Sequence, residues 1–424
     1  MKYENSLAFA TAQDETDPLT DFRKKFYIPL FHGKPSIYFT GNSLGLQPVS
    51  SQDYIHDFLQ DWANLGVEGH FHGKNPWVSY HEIFPAQLSK LTGSREDEVI
   101  VMNQLTVNLH ILLTSFYRPN RDRYKIICEG KTFPSDQYAL ESQVRLHGLE
   151  PSETIIQLNP REGENSLRTS DILTEIGKHA NTLALVIFGG VNYYTGEVMD
   201  MRTITEAAHV AGAYSGFDLA HAIGNISLQL HDWEVDFACW CSYKYLNSGP
   251  GGVAGAYIHE KHARNVMMPR LAGWWGHDKA SRFKMGKEFH PIPTAEGWQL
   301  SNAPVLNMAV HKSAIDIFDE AGMDRILKKS TLLTGFLFYV LDEIIKLHPG
   351  RFEIITPREE GRFGCQVSML ITTNGKEIFN VLQNNGVIAD WREPDVIRIA
   401  PVPLYNTFEE VFRFGEIMLS AITN

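Results

Sequence analysis

Between residues 70 and 300 the chain alternates short apolar runs with longer helix-like stretches, and this restricts the fold more than any other feature. "EVIVMN", "YKIICEG", "TLALVIFGG", "AYSGFDLA", "DFACWCS" and "GVAGAYIH" have the length and β-branched or aromatic content of strands. "NLHILLTSFY", "DQYALESQVRLHG", "LRTSDILTEIGKHA" and "MRTITEAAHVAG" carry helical periodicity between them. Strands separated by helices predict a largely parallel sheet covered on both faces, an α/β fold. A long helical stretch follows at about 304–347, then "RFEIITP", "CQVSMLITT", "GKEIFNVLQNNG", "VIRIAP" and a last helix from about 407. That tail reads as a smaller α/β unit. Residues 1 to about 35 read as an arm with one short helix at "DPLTDFRKKF", capped by Asp17 or Thr20.

At 424 residues the chain has room for two or three domains of roughly 100–200 residues each. The expected division is an N-terminal segment 1–65, a large domain 66–310 and a small C-terminal domain 311–424. A formal net charge of −12 argues against nucleic acid as a partner, although a few local cations suffice for an anionic small molecule. The four cysteines, at 128, 239, 241 and 365, show no paired spacing, so a reduced, cytoplasmic setting is expected. The N-terminus lacks the apolar core of a signal peptide, and no apolar stretch approaches the ~18 residues of a membrane span.

In open α/β sheets, ligands bind at the carboxyl ends of strands. Asp218 follows "AYSGF" and Lys244 follows "DFACWCS", with one helix-sized connection between, so both should reach the same sheet edge. A lysine beside an apolar run is costly as a charge, but not as a covalent carbon–nitrogen link to an aldehyde. Pyridoxal 5'-phosphate needs such a lysine and an acid at its ring nitrogen. Taken singly, Lys244 reads more readily as a solvated loop lysine and Asp218 as a helix cap; only together, at consecutive strand ends, do they make the cofactor reading an even match. Leu105 and Thr106 open a helix whose free N–H groups favour a phosphate, although Thr106 also reads as an N-cap. Phe133 in "KTFPSDQY" offers a ring platform, with Ser135 and Asp136 for polar contact.

"YFTGNSLGLQP", "LTVNLH", "FPSD", "GFDLAHAIGN", "DFACWCSYKYLN", "GGVAGAYIHEKH", "GWWGH", "RFKM", "SNAPVL" and "IRIAPVPLYN" run in one order from about residue 38 to 410. The ordered set resembles the kynureninases, which share fold type I of the pyridoxal phosphate enzymes, the aspartate-aminotransferase fold. The resemblance implies a large domain with a mostly parallel, seven-stranded-type sheet and a smaller C-terminal α/β domain. It also implies hydrolytic Cβ–Cγ cleavage of L-kynurenine or 3-hydroxy-L-kynurenine, giving L-alanine and anthranilate or 3-hydroxyanthranilate. By that similarity Lys244 holds the cofactor and then serves as base, and Asp218 pairs with the pyridine nitrogen. Phe133 stacks on the ring, with Pro134, Ser135 and Asp136 beside it. Leu105, Thr106 and Tyr243 hold the phosphate end, and His221 faces the cofactor. Tyr243 is also the candidate proton donor and acceptor of the later steps.

Trp274 and Asn302 match positions that reach the cofactor from a second subunit, so the resemblance implies a homodimer with shared sites. Arg398 matches the arginine that binds the substrate α-carboxylate. A guanidinium fork suits that bidentate task, although a surface ion pair is its plainer reading. Ser43 and His70 match positions lining the substrate pocket. The pair His70 and Asn302 is similar to that of members favouring the 3-hydroxy substrate. One departure stands out: Gly189 lies where some relatives carry a hydroxyl side chain that touches the cofactor.

Two motifs are decoys. "HEKH", residues 259–262, spaces its histidines three apart, not the four of a zinc metalloprotease, and "HFH", residues 70–72, points its rings to opposite faces if extended. No metal is expected. "GPGG", residues 249–252, is too short for a phosphate loop. Two rivals remain open: another enzyme on this fold, such as an aminotransferase or a cysteine desulfurase using Cys365, and a protein that binds ligand without catalysis. A desulfurase needs an exposed, mobile thiolate, whereas Cys365 opens an apparent strand.

Overall fold

The computed structural model describes residues 2–423. Its main sheet has seven strands: β1 (Val99–Val101), β2 (Lys125–Glu129), β3 (Ile155–Leu158), β4 (Leu183–Gly189), β5 (Tyr214–Asp218), β6 (Phe237–Trp240) and β7 (Gly255–Ile258). The spatial order is β1-β7-β6-β5-β4-β2-β3, with β2 to β6 parallel and β7 antiparallel to both β1 and β6. Both faces are covered. Ile126 and Cys128 face one apolar core while Ile127 between them faces the other, the period-two alternation of a strand. The helices at Thr169–Lys178 and Met201–Val210 lie against the sheet through apolar stripes, Ile172 and Ile176 in one, Met201, Ile204 and Ala208 in the other. Asp200 caps the second by accepting the Thr203 N–H at 3.1 Å.

Four features add to or differ from the sequence expectation. β3 is an additional strand; it is short, half-buried and at the sheet edge, so its sequence "IIQL" carries little apolar signal. Residues 219–236, between β5 and β6, are turns and not a helix. Gly224 there has φ 71°, which a helix does not accommodate. The 304–347 stretch is two helices, Val305–Ala321 and Met323–Leu347, broken where Gly322 adopts φ 75°. In the N-terminal arm the α-helix is Leu7–Glu15, capped by Ser6, whereas "DPLTDFRKKF" yields a 3-10 turn at Thr20–Lys25 with Asp17 accepting the Leu19 N–H.

The smaller sheet is antiparallel: β8 (Phe352–Ile354), β9 (Val367–Ile371), β10 (Asp390–Arg392) and β11 (Val396–Ile399), ordered β8-β9-β11-β10. Arg398 on β11 stands opposite Ser368 on one side and Asp390 on the other. The N-terminal arm serves both units. Phe22 and Phe26 join the large core, Ala10 and Phe39 the small one, and Asp14 caps the final helix through the N–H groups of Phe408 and Glu409. Among the described residues no helix is long and apolar enough to cross a membrane.

The histidines of "HEKH" sit at the sheet edge opposite Asp218. His259 stacks on His231 near Glu98, and His262 donates to Asp236 at 2.6 Å. Asp236 is buried and also accepts from His209 (2.9 Å) and the Ser215 N–H (2.8 Å), with Lys261 at 3.1 Å. Burial alone would raise its pKa; the hydrogen bonds from His209 and His262 and the Lys261 charge hold it well below the carboxylate range. A depressed carboxylate contributes stability that is complete above its unfolded pKa of ~3.9 and is lost as pH falls toward the folded value. Asp236→Ala is therefore expected to cost about 3–5 kcal/mol in urea unfolding at pH 7, the cost of breaking a buried pair, and the difference should shrink progressively below pH ~4. A pH-independent difference would remove the charge from the explanation.

Candidate active site

The sheet topology brings the carboxyl ends of β1, β2, β4, β5 and β6 to one edge, and a cleft of about 130 Å³ opens there. Register makes Gly189 the neighbour of Asp218, and Asp218 the neighbour of Cys239. Lys244 follows β6 by a few residues and points its Nζ into the cleft, 2.9 Å from His221 Nε2 and 5.7 Å from the centre of the Phe133 ring. Burial, with the charges of Lys244 and Arg398, drives the His221 pKa well below its ordinary value. The neutral ring accepts from Lys244, and its Nδ1 is buried with no partner.

Asp218 and Asp136 are adjacent buried carboxyls. Burial raises both, and the Asp218 charge drives Asp136 further, well above the usual range. One proton suffices for the pair. Asp136 is pushed up the more strongly of the two, while Asp218 accepts the Ala220 N–H at 2.6 Å and feels the Lys244 charge, both of which oppose its burial. Asp136 Oδ1 has no partner.

Leu105 and Thr106 open the helix Leu105–Phe116, whose N-cap Gln104 gives no side-chain cap, so its first N–H groups remain free toward the cleft. Thr106 Oγ1 meets Ser135 Oγ at 2.7 Å, at the start of a second helix in which Pro134 is the first residue. Tyr243 lines the same end; burial and the Cys241 thiol keep its hydroxyl protonated.

Arg398 is 1% exposed. One arm donates to the Tyr193 carbonyl and the other to Asp390 and to Ser43 Oγ, while Nε has no partner. Tyr193 packs edge-on against Phe133 at 5.3 Å and so connects this arginine to the cleft. Arg398 itself does not line the cleft, nor do Ser43, His70, Pro134, Trp274 and Asn302. His70 packs against Trp77, Trp274 lies 43% exposed beside Phe283, and Asn302 is exposed. Sequence reasoning missed Glu129, Tyr193 and Asp390. Glu129 had a signal: it ends the apolar run of β2 as Asp218 ends that of β5. Tyr193 and Asp390 had none.

The chain is 52% identical over 422 residues to a kynureninase of Flavobacterium psychrophilum, covering 100% of this chain and 99% of that protein. It is 47% identical to a kynureninase of Nematostella vectensis, covering 98% and 94%. The chain belongs to the kynureninase family. Residues 326–418 also match the model of the kynureninase C-terminal domain. The fold is shared with an apo cysteine desulfurase of Thermococcus onnurineus NA1 (TM-score 0.76, 16% identity, 95% of this chain and 98% of that one). It is shared too with C-DES carrying glycine covalently linked to its PLP cofactor (TM-score 0.73, 15% identity, 90% and 96%). These place the kynureninase-family chain in fold type I.

The cleft fits pyridoxal phosphate on its own chemistry. Asp218 is a buried carboxyl that a cationic ring nitrogen would hold in its charged form, Phe133 offers a ring face, and Thr106, Ser135 and the free helix terminus form an anion cradle. Asp136 Oδ1 and His221 Nδ1 are buried polar atoms that the chain leaves unpaired. A desulfurase reading fails at the thiol: Cys365 is buried and its pKa is pushed up to about 12, the opposite of a mobile thiolate.

Proposed function

We propose that the chain hydrolyses L-kynurenine or 3-hydroxy-L-kynurenine between Cβ and Cγ, releasing L-alanine and anthranilate or 3-hydroxyanthranilate. The observation that carries this reading is the meeting of Lys244 and the Asp218–Asp136 pair in one cleft, joined through Tyr193 to a buried arginine. Pyridoxal phosphate, held by Lys244, Asp218, Phe133, Thr106 and Ser135, supplies an electron sink for bond changes at the substrate Cα and Cβ. Arg398 binds the α-carboxylate, which gives the unpartnered Nε an acceptor. Lys244, released to the amine form, takes the proton from Cα, and neutral His221 holds its Nζ in place by accepting a hydrogen bond. Tyr243, protonated at rest, moves a proton at the γ-carbonyl oxygen as water adds there and the carbon–carbon bond breaks. Water supplies the new acyl oxygen.

Trp274 and Asn302 join the site from a second copy. The exposed apolar surface of Trp62 (61%), Phe71 (54%), Phe283 (55%) and Trp274 supports that reading. A sedimentation mass of one 48.0 kDa chain would count against it. Free, buried cysteines accord with a reducing cytoplasm. His70 and Asn302 favour the 3-hydroxy substrate. Its kcat/KM is expected to exceed that of kynurenine by roughly five- to tenfold, the factor that one hydrogen bond of about 1–1.5 kcal/mol supplies. Assaying alanine release from both tests the proposal; release from neither overturns it, and a preference for kynurenine overturns the role of the pair.

A further inference from the structure

Glu129 ends β2 at the floor of the cleft, and its carboxylate is buried. Oε1 accepts the Gly189 N–H at 3.0 Å and Oε2 accepts Asn192 Nδ2 at 2.8 Å. Burial raises its pKa against these two hydrogen bonds. A Cβ on Gly189 would lie 2.9 Å from Glu129 Oε1, so the missing side chain at 189 is the space this carboxylate occupies. The departure seen at Gly189 is one half of a packed pair.

Asn192 uses its other side-chain atom to shape a turn. Its Oδ1 accepts the N–H groups of Tyr194 and Thr195, both at 2.9 Å, and the Thr195 hydroxyl at 3.2 Å. Tyr193, inside that turn, faces two ways. Its ring meets Phe133 edge-on, and its carbonyl accepts from Arg398 and from Gln366 Nε2 (3.0 Å). The next two carbonyls are tied to the small unit, that of Tyr194 by the Ser368 hydroxyl (2.6 Å) and that of Thr195 by the Thr356 hydroxyl (2.5 Å). Ser368 is the strand neighbour of Arg398. The turn is thus a joint between the ring platform on the large sheet and the arginine on the small one.

We propose that Glu129 and Asn192 are a positioning pair: the carboxylate fixes the Asn192 amide, and Asn192 fixes the turn through which Tyr193 sets Arg398 relative to Phe133. The inference rests on Arg398 being the carboxylate grip of the proposed function. Neither residue touches the reacting atoms; both act through Tyr193. A small displacement of a binding group is enough to weaken productive binding.

The pair can be inverted without changing the total charge. In Asn192→Asp, two carboxylates face each other. In Glu129→Gln, the new amide can satisfy Gly189 or Asn192 but meets a donor with a donor. In the double variant, the amide introduced at position 129 donates to the carboxylate introduced at position 192, whose second oxygen still accepts the turn N–H groups. Each single variant of the holoenzyme is expected to raise KM at least tenfold with kcat changed less than threefold. Each should also lose hydrogen-exchange protection at the amides of residues 194 and 195. The double variant should return both quantities to within about threefold of the native values, the signature of direct coupling. If a single variant does not fold, folding of the double variant is the same rescue. A double variant no better than its worse parent, or single variants with native KM and native protection, overturns the proposal. Altered protection with unchanged KM overturns only the assignment of Arg398 to the substrate, because the exchange measurement needs no turnover.

Discussion

Lys244→Ala is expected to abolish measurable turnover. Loss of a positioned base costs ~10²–10⁴-fold by itself, and loss of the covalent anchor adds to it. The fold should tolerate the change. The side chain is only partly buried, and it meets the His221 nitrogen and the face of Phe133. Noncovalent cofactor binding should survive, because Thr106, Ser135, the helix terminus and Asp218 are untouched. Three measurements separate the possibilities. Steady-state assay gives the loss of rate, cofactor absorbance gives retention, and borohydride reduction with peptide mapping gives the site of attachment. The native protein should carry the label on Lys244 and the variant should carry none. A variant with near-native rate, or a native label elsewhere, would refute the role of Lys244.

Lys244 and Asp218 were legible because strand ends are legible. Each follows an apolar run too short for a helix, and parallel strands expose their carboxyl ends on one edge. The helix-sized connection between the two strands holds turns, and β5 and β6 are parallel neighbours, so the ends meet as expected. Arg398 is different. Its strand was visible, but nothing local says that a buried arginine on a small antiparallel sheet is tied to a residue lining a cleft on the large one. That information sits in tertiary contacts, the Tyr193 carbonyl and Asp390, and only the ordered resemblance reached it. The break at Gly322 and the strand β3 were lost for local reasons. One glycine does not interrupt an apolar period, and four half-buried edge residues do not establish one. Trp274 and Asn302 lie outside the cleft of a single chain, and the second copy proposed to receive them is nothing that one chain's apolar pattern describes.

Arg398→Ala is expected to raise KM by about 10- to 150-fold, the range that corresponds to ~1.5–3 kcal/mol for a hydrogen bond to a charged group. The expected change in kcat is smaller, because the proposed grip on the α-carboxylate would hold substrate and transition state alike. Arg398→Lys should recover little of the loss. A lysine keeps the charge but not the planar fork that spans Tyr193, Asp390, Ser43 and a carboxylate together. Arg398→Ala also leaves Asp390 with only Arg392 (3.1 Å) and the Ser43 hydroxyl in a largely buried place, where breaking an ion pair outright costs about 3–5 kcal/mol. Loss of binding must therefore be separated from loss of the small sheet. Arg398→Ala with Asp390→Ala removes the stranded charge and should restore urea resistance toward the native level without restoring KM. If the double variant recovers both, the arginine acts on substrate only by holding the sheet together. If it recovers stability alone, the guanidinium itself meets the substrate, which would give its unpartnered Nε an acceptor.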